Sequence, residues 1–109
     1  MAGRTIARGD IWQHRFAPPD KRRPVLVLSR QVALDHLPTA LIAPITTTIR
    51  GLPSEVRLST DDGLKQDSVA NLDHILSVRQ GDLRKYVGHL DEARMREVCR
   101  AAAIALGCA

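Results

Sequence analysis

The run Pro24-Val25-Leu26-Val27-Leu28 is apolar at every position, not at alternate positions or at helical spacing. A run of this kind and length, here extended to Ser29, reads as a strand buried on both faces. Thr39–Thr46 is a second apolar strand, interrupted by Pro44, which lacks a backbone donor and so marks an edge, a bulge or a strand end. Gly9–Phe16 reads as a first strand, and Glu55–Leu58 alternates polar and apolar residues as a half-exposed strand does. Ser68–Val78 supplies one long strand or two short ones, with Asn71 and Asp73 at interior positions, and Gly81 and Gly88 punctuate a short segment around Tyr86.

Between these runs lie turn signals. Ala17-Pro18-Pro19-Asp20-Lys21-Arg22 is a turn, Gln31–His36 has room for one short helical turn before Pro38, and Asp61-Asp62-Gly63 is turn chemistry. The end of the chain is the one clear helix. Asp91 suits its N-cap, Leu90 and Met95 stand at hydrophobic-staple positions, and Gly107 stands at C′. Met95, Val98, Cys99, Ala102 and Leu106 are expected on its buried face. The order is therefore five to seven short strands followed by a packing helix. The expected class is mainly β (α+β), a small barrel-like domain with short helices and a C-terminal helix.

With 109 residues the chain has room for a flexible leader over 1–8 and one domain over 9–109. One Trp, one Tyr and one Phe leave the core to Val, Ile, Leu and Ala. The net charge is +4, and two of the basic residues, Arg4 and Arg8, fall in the leader. So mild an excess favours a polyanionic partner only weakly, because the placement of charge matters more than its total. Cys99 and Cys108 lack zinc-site spacing, and two free thiols fit a reducing compartment. No apolar run nears the roughly 20 residues that span a bilayer, and residues 1–8 lack a signal-peptide core. The expectation is a soluble cytoplasmic protein without a membrane partner.

No phosphate-binding glycine loop, metal cluster or nucleophile elbow is present, so chemistry would have to come from a sparse polar site. Lys21-Arg22-Arg23 stands at the mouth of the apolar strand, and Pro24 restricts Arg23 to extended backbone. A guanidinium aimed from a rigid strand start holds phosphate well. Thr46-Thr47-Thr48 leaves the second apolar strand and offers hydroxyl donors. Taken singly, each segment has a plain alternative: a solvated charge cluster, and the ordinary β-propensity of threonine.

Read in order, Arg8-Gly9-Asp10-Ile11-Trp12, Arg23-Pro24-Val25-Leu26-Val27-Leu28, Ala43-Pro44-Ile45-Thr46, Asp67-Ser68-Val69-Ala70 and Gly88-His89-Leu90 resemble the MazF/PemK toxin family over residues 8–106. The resemblance implies an SH3-like barrel of the MazF/CcdB toxin type, a homodimer and a cognate MazE-like antitoxin. It also implies cleavage of single-stranded RNA, sequence-specific and without metal or cofactor. Arg23 would be the principal catalytic residue and Thr46 its assistant at the scissile phosphate, with Lys21, Arg22, Thr47 and Thr48 gripping flanking phosphates.

In metal-free cleavage the ribose 2′-hydroxyl attacks the adjacent phosphorus, leaving a 2′,3′-cyclic phosphate and a 5′-hydroxyl. That requirement selects RNA and leaves DNA uncut. A guanidinium and a hydroxyl suit the charge that builds on the phosphorane oxygens, but arginine stays protonated and is a poor proton acceptor. His74 is the candidate substrate-contacting base, since imidazole titrates near neutrality; a polar strand residue facing solvent or a partner is the plain alternative. Two departures from the family pattern stand out. The Phe16–Arg22 turn is short where many members carry a Gly-Ser-Glu-Gln-like loop, and His74-Ile75-Leu76 replaces a Gln-Ile-Arg. Two competing readings stay open: a CcdB-like toxin that binds DNA gyrase without cutting RNA, and a catalytically weak relative that only binds RNA or antitoxin.

Overall fold

The apolar run forms β2 (Arg22–Val27), which pairs with β1 (Asp10–Arg15) on one side and β3 (Thr39–Thr46) on the other. The structure, a computed structural model, describes residues 5–18 and 21–108. Residues 1–4 of the expected leader, Pro19 and Asp20 of the expected turn, and Ala109 lie outside them. The remaining elements are α1 (Gln31–His36), β4 (Glu55–Leu58), β5 (Ser68–Asn71), β6 (Leu76–Arg79), β7 (Leu83–His89) and α2 (Glu92–Leu106). All strand pairings are antiparallel, in the order β4-β5-β3-β2-β1-β7, with β6 also on β3.

β3 carries both halves of the sheet. It pairs with β6 along Thr39–Ile42, with β2 along Ile42–Pro44, and with β5 at Ile45 and Thr46. Pro44 thus stands where the ladder with β2 ends and pairing passes from β6 to β5, a junction that tolerates a missing donor. The segment 68–78 is two short strands. A 3₁₀ turn over Leu72–His74 separates them, so that Leu76 pairs with Ile42 where an unbroken β5 would have brought Asp73. Asn71 accepts from the Asp73 amide at 2.9 Å and Ser54 donates to the Asp73 carboxylate at 2.5 Å, so both polar residues serve that turn.

Burial on both faces of β2 follows directly. Val25, Leu26 and Val27 are fully buried. Val25 and Val27 meet Trp12, Leu34, Ala40, Ile42 and Leu83. Leu26 belongs instead with Ile11, Ala43, Ile45, Val56, Leu58 and the helix residues Met95, Val98 and Ala101. Each fully buried Leu or Ile of these layers contributes about 1.5–3 kcal/mol.

α2 starts as expected, with Asp91 accepting from the Arg94 amide at 2.9 Å, and ends at Gly107 in the left-handed region. Its buried stripe is narrower than expected. Met95, Val98 and Ala101 face the core, whereas Cys99 is exposed and Leu106 in the last turn is 70% exposed. Small residues at 101, 102 and 105 let the helix lie on the sheet through that stripe, which leaves Cys99 at its margin. Cys108 is also a free, exposed thiol. No helix among the described residues is long and apolar enough to cross a membrane.

Residues 5–8 of the expected leader lie partly on the body. Ile6 packs against the Trp12 layer, the Arg8 amide donates to Gln31, and the Arg8 guanidinium donates to the Leu28 carbonyl and Cys99 Sγ. Asp10 organises this corner. It is only 2% exposed, and its carboxylate accepts from the Ala7 amide at 2.9 Å and Trp12 Nε1 at 3.0 Å, with His89 Nδ1 at 2.8 Å. One carboxylate therefore ties the N-terminal segment, the indole of one core layer and β7 together.

A second tight contact joins β7 to the 3₁₀ turn Thr60–Asp62. A Cβ on Gly63 would stand 2.3 Å from the Val87 carbonyl oxygen, and one on Gly88 would stand 2.1 Å from that of Asp62. Backbone meets backbone there, and Gly63 also needs its φ of +94°. Arg94 holds the same turn from α2, through Asp62 at 3.3 Å and the Arg57 carbonyl at 2.6 Å.

Two outcomes follow for stability, both read by urea or thermal unfolding. Asp10→Ala strands the buried Trp12 N–H and is expected to cost about 1–3 kcal/mol for that donor alone. Gly88→Ala forces the Asp62–Gly63 turn off β7 and is expected to cost about 1–3 kcal/mol as overpacking. An unchanged midpoint in either variant would contradict the corresponding contact.

Candidate active site

Successive residues of a strand point to opposite faces, so β2 sends Arg22 and Arg23 to different sides. Arg23 shares the phase of Val25 and Val27. On β1 its register partner is His14, and on β3 the Val25–Pro44 register, carried two residues on, leads to Thr46. His14 and Arg23 are thus direct cross-strand neighbours, and Thr46 continues their line beyond the last β2–β3 pair, where β3 already pairs with β5. Side chains directly opposite in this way have Cβ atoms about 4.5–5.5 Å apart.

Each of the three is held differently. Arg23 is exposed and, among the described residues, has no ion-pair partner. Thr46 is half-buried, and its Oγ1 accepts from the Thr48 amide at 3.1 Å, which leaves the hydroxyl proton for donation elsewhere. His14 is 8% exposed, and its ring stands edge-on to Phe16 at 4.6 Å. Among the described residues its Nδ1 is the buried side-chain polar atom without a hydrogen-bond partner.

Arg22 shares the opposite phase with Pro24, and both line a groove of about 590 Å³. Gln13 and Lys85, which pair across β1 and β7, line it with Tyr86 and Val87 of β7, Thr47, and the Gly63–Gln66 loop with Ser68. The contact of Gly63 on β7 is what brings that loop over the strands. Arg22, Lys65 and Lys85 reach the groove, and no carboxylate is among its lining residues. The chain's three lysines are Lys21, Lys65 and Lys85, and all stand at this end of the barrel.

The expected site residues therefore divide. Arg23 and Thr46 fall at neighbouring strand ends, on the line that continues the β2–β3 register two residues past its last pair, Val25–Pro44. Lys21 is exposed just before β2, Arg22 and Thr47 enter the groove, and Thr48 is exposed beside Thr46. His74 does not join them within one chain. Val69 pairs with Thr46, and His74 follows beyond the end of β5, exposed, on the 3₁₀ turn that packs against α2. Its Nδ1 lies 3.4 Å from Asn71 Nδ2, within the local capping network. Gln13, Lys65, Gln66 and Lys85 were not singled out from sequence. Alternation along β1 could have flagged Gln13 as opposite in phase to His14, but nothing local marks a loop lysine as lining a groove. Among the described residues no three His, Cys, Asp or Glu side chains gather in a way that could hold a metal ion.

Comparison with known proteins gives a consistent picture. Residues 7–106 match the family model described as PemK-like, MazF-like toxin of type II toxin–antitoxin systems. The chain is 46% identical over 103 residues to the probable endoribonuclease MazF5 of Mycobacterium tuberculosis, covering 94% of each. It is 45% identical over 75 residues to that organism's endoribonuclease MazF3, covering 69% of this chain and 73% of the relative. The solved Mycobacterium tuberculosis toxin MazF-mt6 superposes with a TM-score of 0.83 at 35% identity, over 92% of this chain and 98% of that one. An endoribonuclease from mycobacterial species, solved in complex with its cognate antitoxin, has a TM-score of 0.83 at 27% identity, over 95% and 97%. With the match spanning nearly the whole chain and the fold agreeing with it, the protein belongs to the PemK-like, MazF-like toxins of type II toxin–antitoxin systems, a family of endoribonucleases.

Proposed function

We propose that this toxin cleaves single-stranded RNA sequence-specifically and without metal, with Arg23 and Thr46 at the scissile phosphate. The observation that carries the reading is an exposed, strand-based guanidinium and, on the line continuing the β2–β3 register, a hydroxyl whose oxygen is already occupied by the Thr48 amide. Both groups donate hydrogen bonds, and both stand at the end of the barrel where the three lysines gather.

In the reaction the substrate's 2′-oxygen forms a bond to the adjacent phosphorus and gives up its proton. The bond from phosphorus to the 5′-oxygen breaks, and that oxygen takes up a proton. The products are a 2′,3′-cyclic phosphate and a 5′-hydroxyl. Negative charge grows on the non-bridging oxygens as phosphorus becomes five-coordinate. Arg23 N–H groups and the Thr46 O–H, fixed by the sheet before substrate arrives, stabilise that charge without reorganising. Lys21 and Thr48 are placed to hold flanking phosphates. His74 would act only from a second subunit or after rearrangement, given its distance along β5 from Thr46 in this chain.

A homodimer working in the cytoplasm and silenced by a MazE-like antitoxin completes the reading. The mycobacterial endoribonuclease solved with its cognate antitoxin is a precedent for such a partner. The relatives' names favour RNA cleavage over the gyrase-binding alternative.

The test is incubation of purified protein with a mixed single-stranded RNA pool in EDTA, beside Arg23→Ala. Discrete cuts ending in cyclic phosphate are expected from the wild type, with the rate falling by roughly 10²–10³-fold in the variant. Cleavage lost in EDTA and restored by a divalent ion would overturn the metal-free mechanism. Undiminished cleavage by Arg23→Ala would remove Arg23 from the site.

A further inference from the structure

We infer that the groove on the far face of β2, lined by Arg22, Lys65 and Lys85, is a second RNA-binding subsite that holds nucleotides flanking the scissile bond. The inference rests on the proposed ribonuclease activity and adds to it a place and a chemistry. Arg22 and Thr47 are shared with the cluster expected beside the scissile phosphate; Lys65, Lys85, Gln13 and Gln66 are not.

Three features identify the occupant. The first is charge: three cations converge on one groove with no carboxylate in its lining. Like charges gathered along one groove favour an anion there. Phosphodiesters suit them, because Arg22 offers a planar fork and the two lysines offer mobile point charges. The second is the rest of the lining. Gln13 and Gln66 present amides that both donate and accept, which matches the edges of nucleobases better than it matches carboxylates. Tyr86 also borders the groove, while its ring packs edge-on to Trp12 at 5.8 Å in the core layer behind it. An acidic peptide side chain would use the cations and make no use of the amides' donor–acceptor pairs. The volume, about 590 Å³, lies in the range of pockets that enclose small organic molecules, so a nucleotide fits within it.

The third feature is continuity with the reacting centre. Arg22 and Arg23 are adjacent on β2 and leave it to opposite faces. Thr46 and Thr47 do the same at the end of β3, with Thr47 in the groove. A single RNA strand laid across this end of the barrel meets Arg23 and Thr46 with its scissile phosphate and Arg22 and Thr47 with a neighbouring one. The loop carrying Lys65 then closes over the flanking nucleotide. The groove would thereby contribute affinity and part of the sequence preference, while the chemistry stays with Arg23 and Thr46.

The experiment compares wild type with Lys65→Ala/Lys85→Ala, using RNA that extends several nucleotides on both sides of the cut. Both lysines are exposed, so the fold does not depend on them. KM is expected to rise at least about tenfold, with the loss in kcat/KM residing in KM and growing with RNA length. Losing two phosphate contacts should lower the slope of log affinity against log salt by about 1.4, measured with RNA carrying a 2′-deoxy sugar at the scissile position. Equal affinity and equal salt slope for the two proteins would overturn the subsite. So would a variant that binds RNA normally but has lost affinity for the antitoxin, because the groove would then belong to a protein partner. If the wild type itself cleaves no RNA, the ribonuclease reading fails, and the 2′-deoxy binding measurement still decides whether RNA occupies the groove.

Discussion

The pleat of β2 governs everything else in this molecule. At its apolar end, alternate side chains enter two different core layers, and Val25, Leu26 and Val27 all vanish from solvent. At its polar end the same alternation sends Arg23 to the face shared with Thr46 and Arg22 to the groove on the other side. Core and site are thus two ends of one geometric rule. Because the buried end cannot slip by one residue without exposing both layers, the orientation of both arginines is set by hydrophobic burial far more firmly than by any contact of their own.

Around that strand, a few polar and backbone contacts decide how the outer elements sit. The buried Asp10 takes two N–H donors and the half-exposed His89, so the start of β1 is coupled to β7. Gly63 and Gly88 allow a turn to lie directly on β7, and Arg94 ties that turn to α2 and β4. These contacts do little chemistry, yet they position the loop that walls the groove. A protein of aliphatic core with three aromatic residues relies on such local locks to give its loops one conformation.

Much of the fold could be read from pattern. The bounds of α1, β3 and β4 coincide with the expected segments, and the Asp91 cap and Gly107 stop delimit α2, because capping and periodicity are local properties. The buried face of α2 was misjudged at Cys99 and Leu106. Helical spacing defines a stripe only to within its width, and the sheet beneath chooses which edge of the stripe is covered. Arg23 and Thr46 were legible through the motifs around them. For His74 the sequence shows a polar residue near a strand, and does not show that a 3₁₀ turn carries it past the end of β5, away from Thr46 along that strand in this chain.

By itself the sequence determined the strand-length runs, the cation cluster at the mouth of β2, the terminal helix and the family motifs. These depend on residue type and spacing within one segment. Only the tertiary structure decided which strands lie side by side, and hence that Arg23 stands opposite His14 and at the same sheet end as Thr46. It likewise decided that Lys65 and Lys85, twenty residues apart in the chain, line one cation-rich groove. The physical reason is that register and loop closure are set by burial and backbone contact between distant segments, and neither leaves a local mark on the residues it brings together.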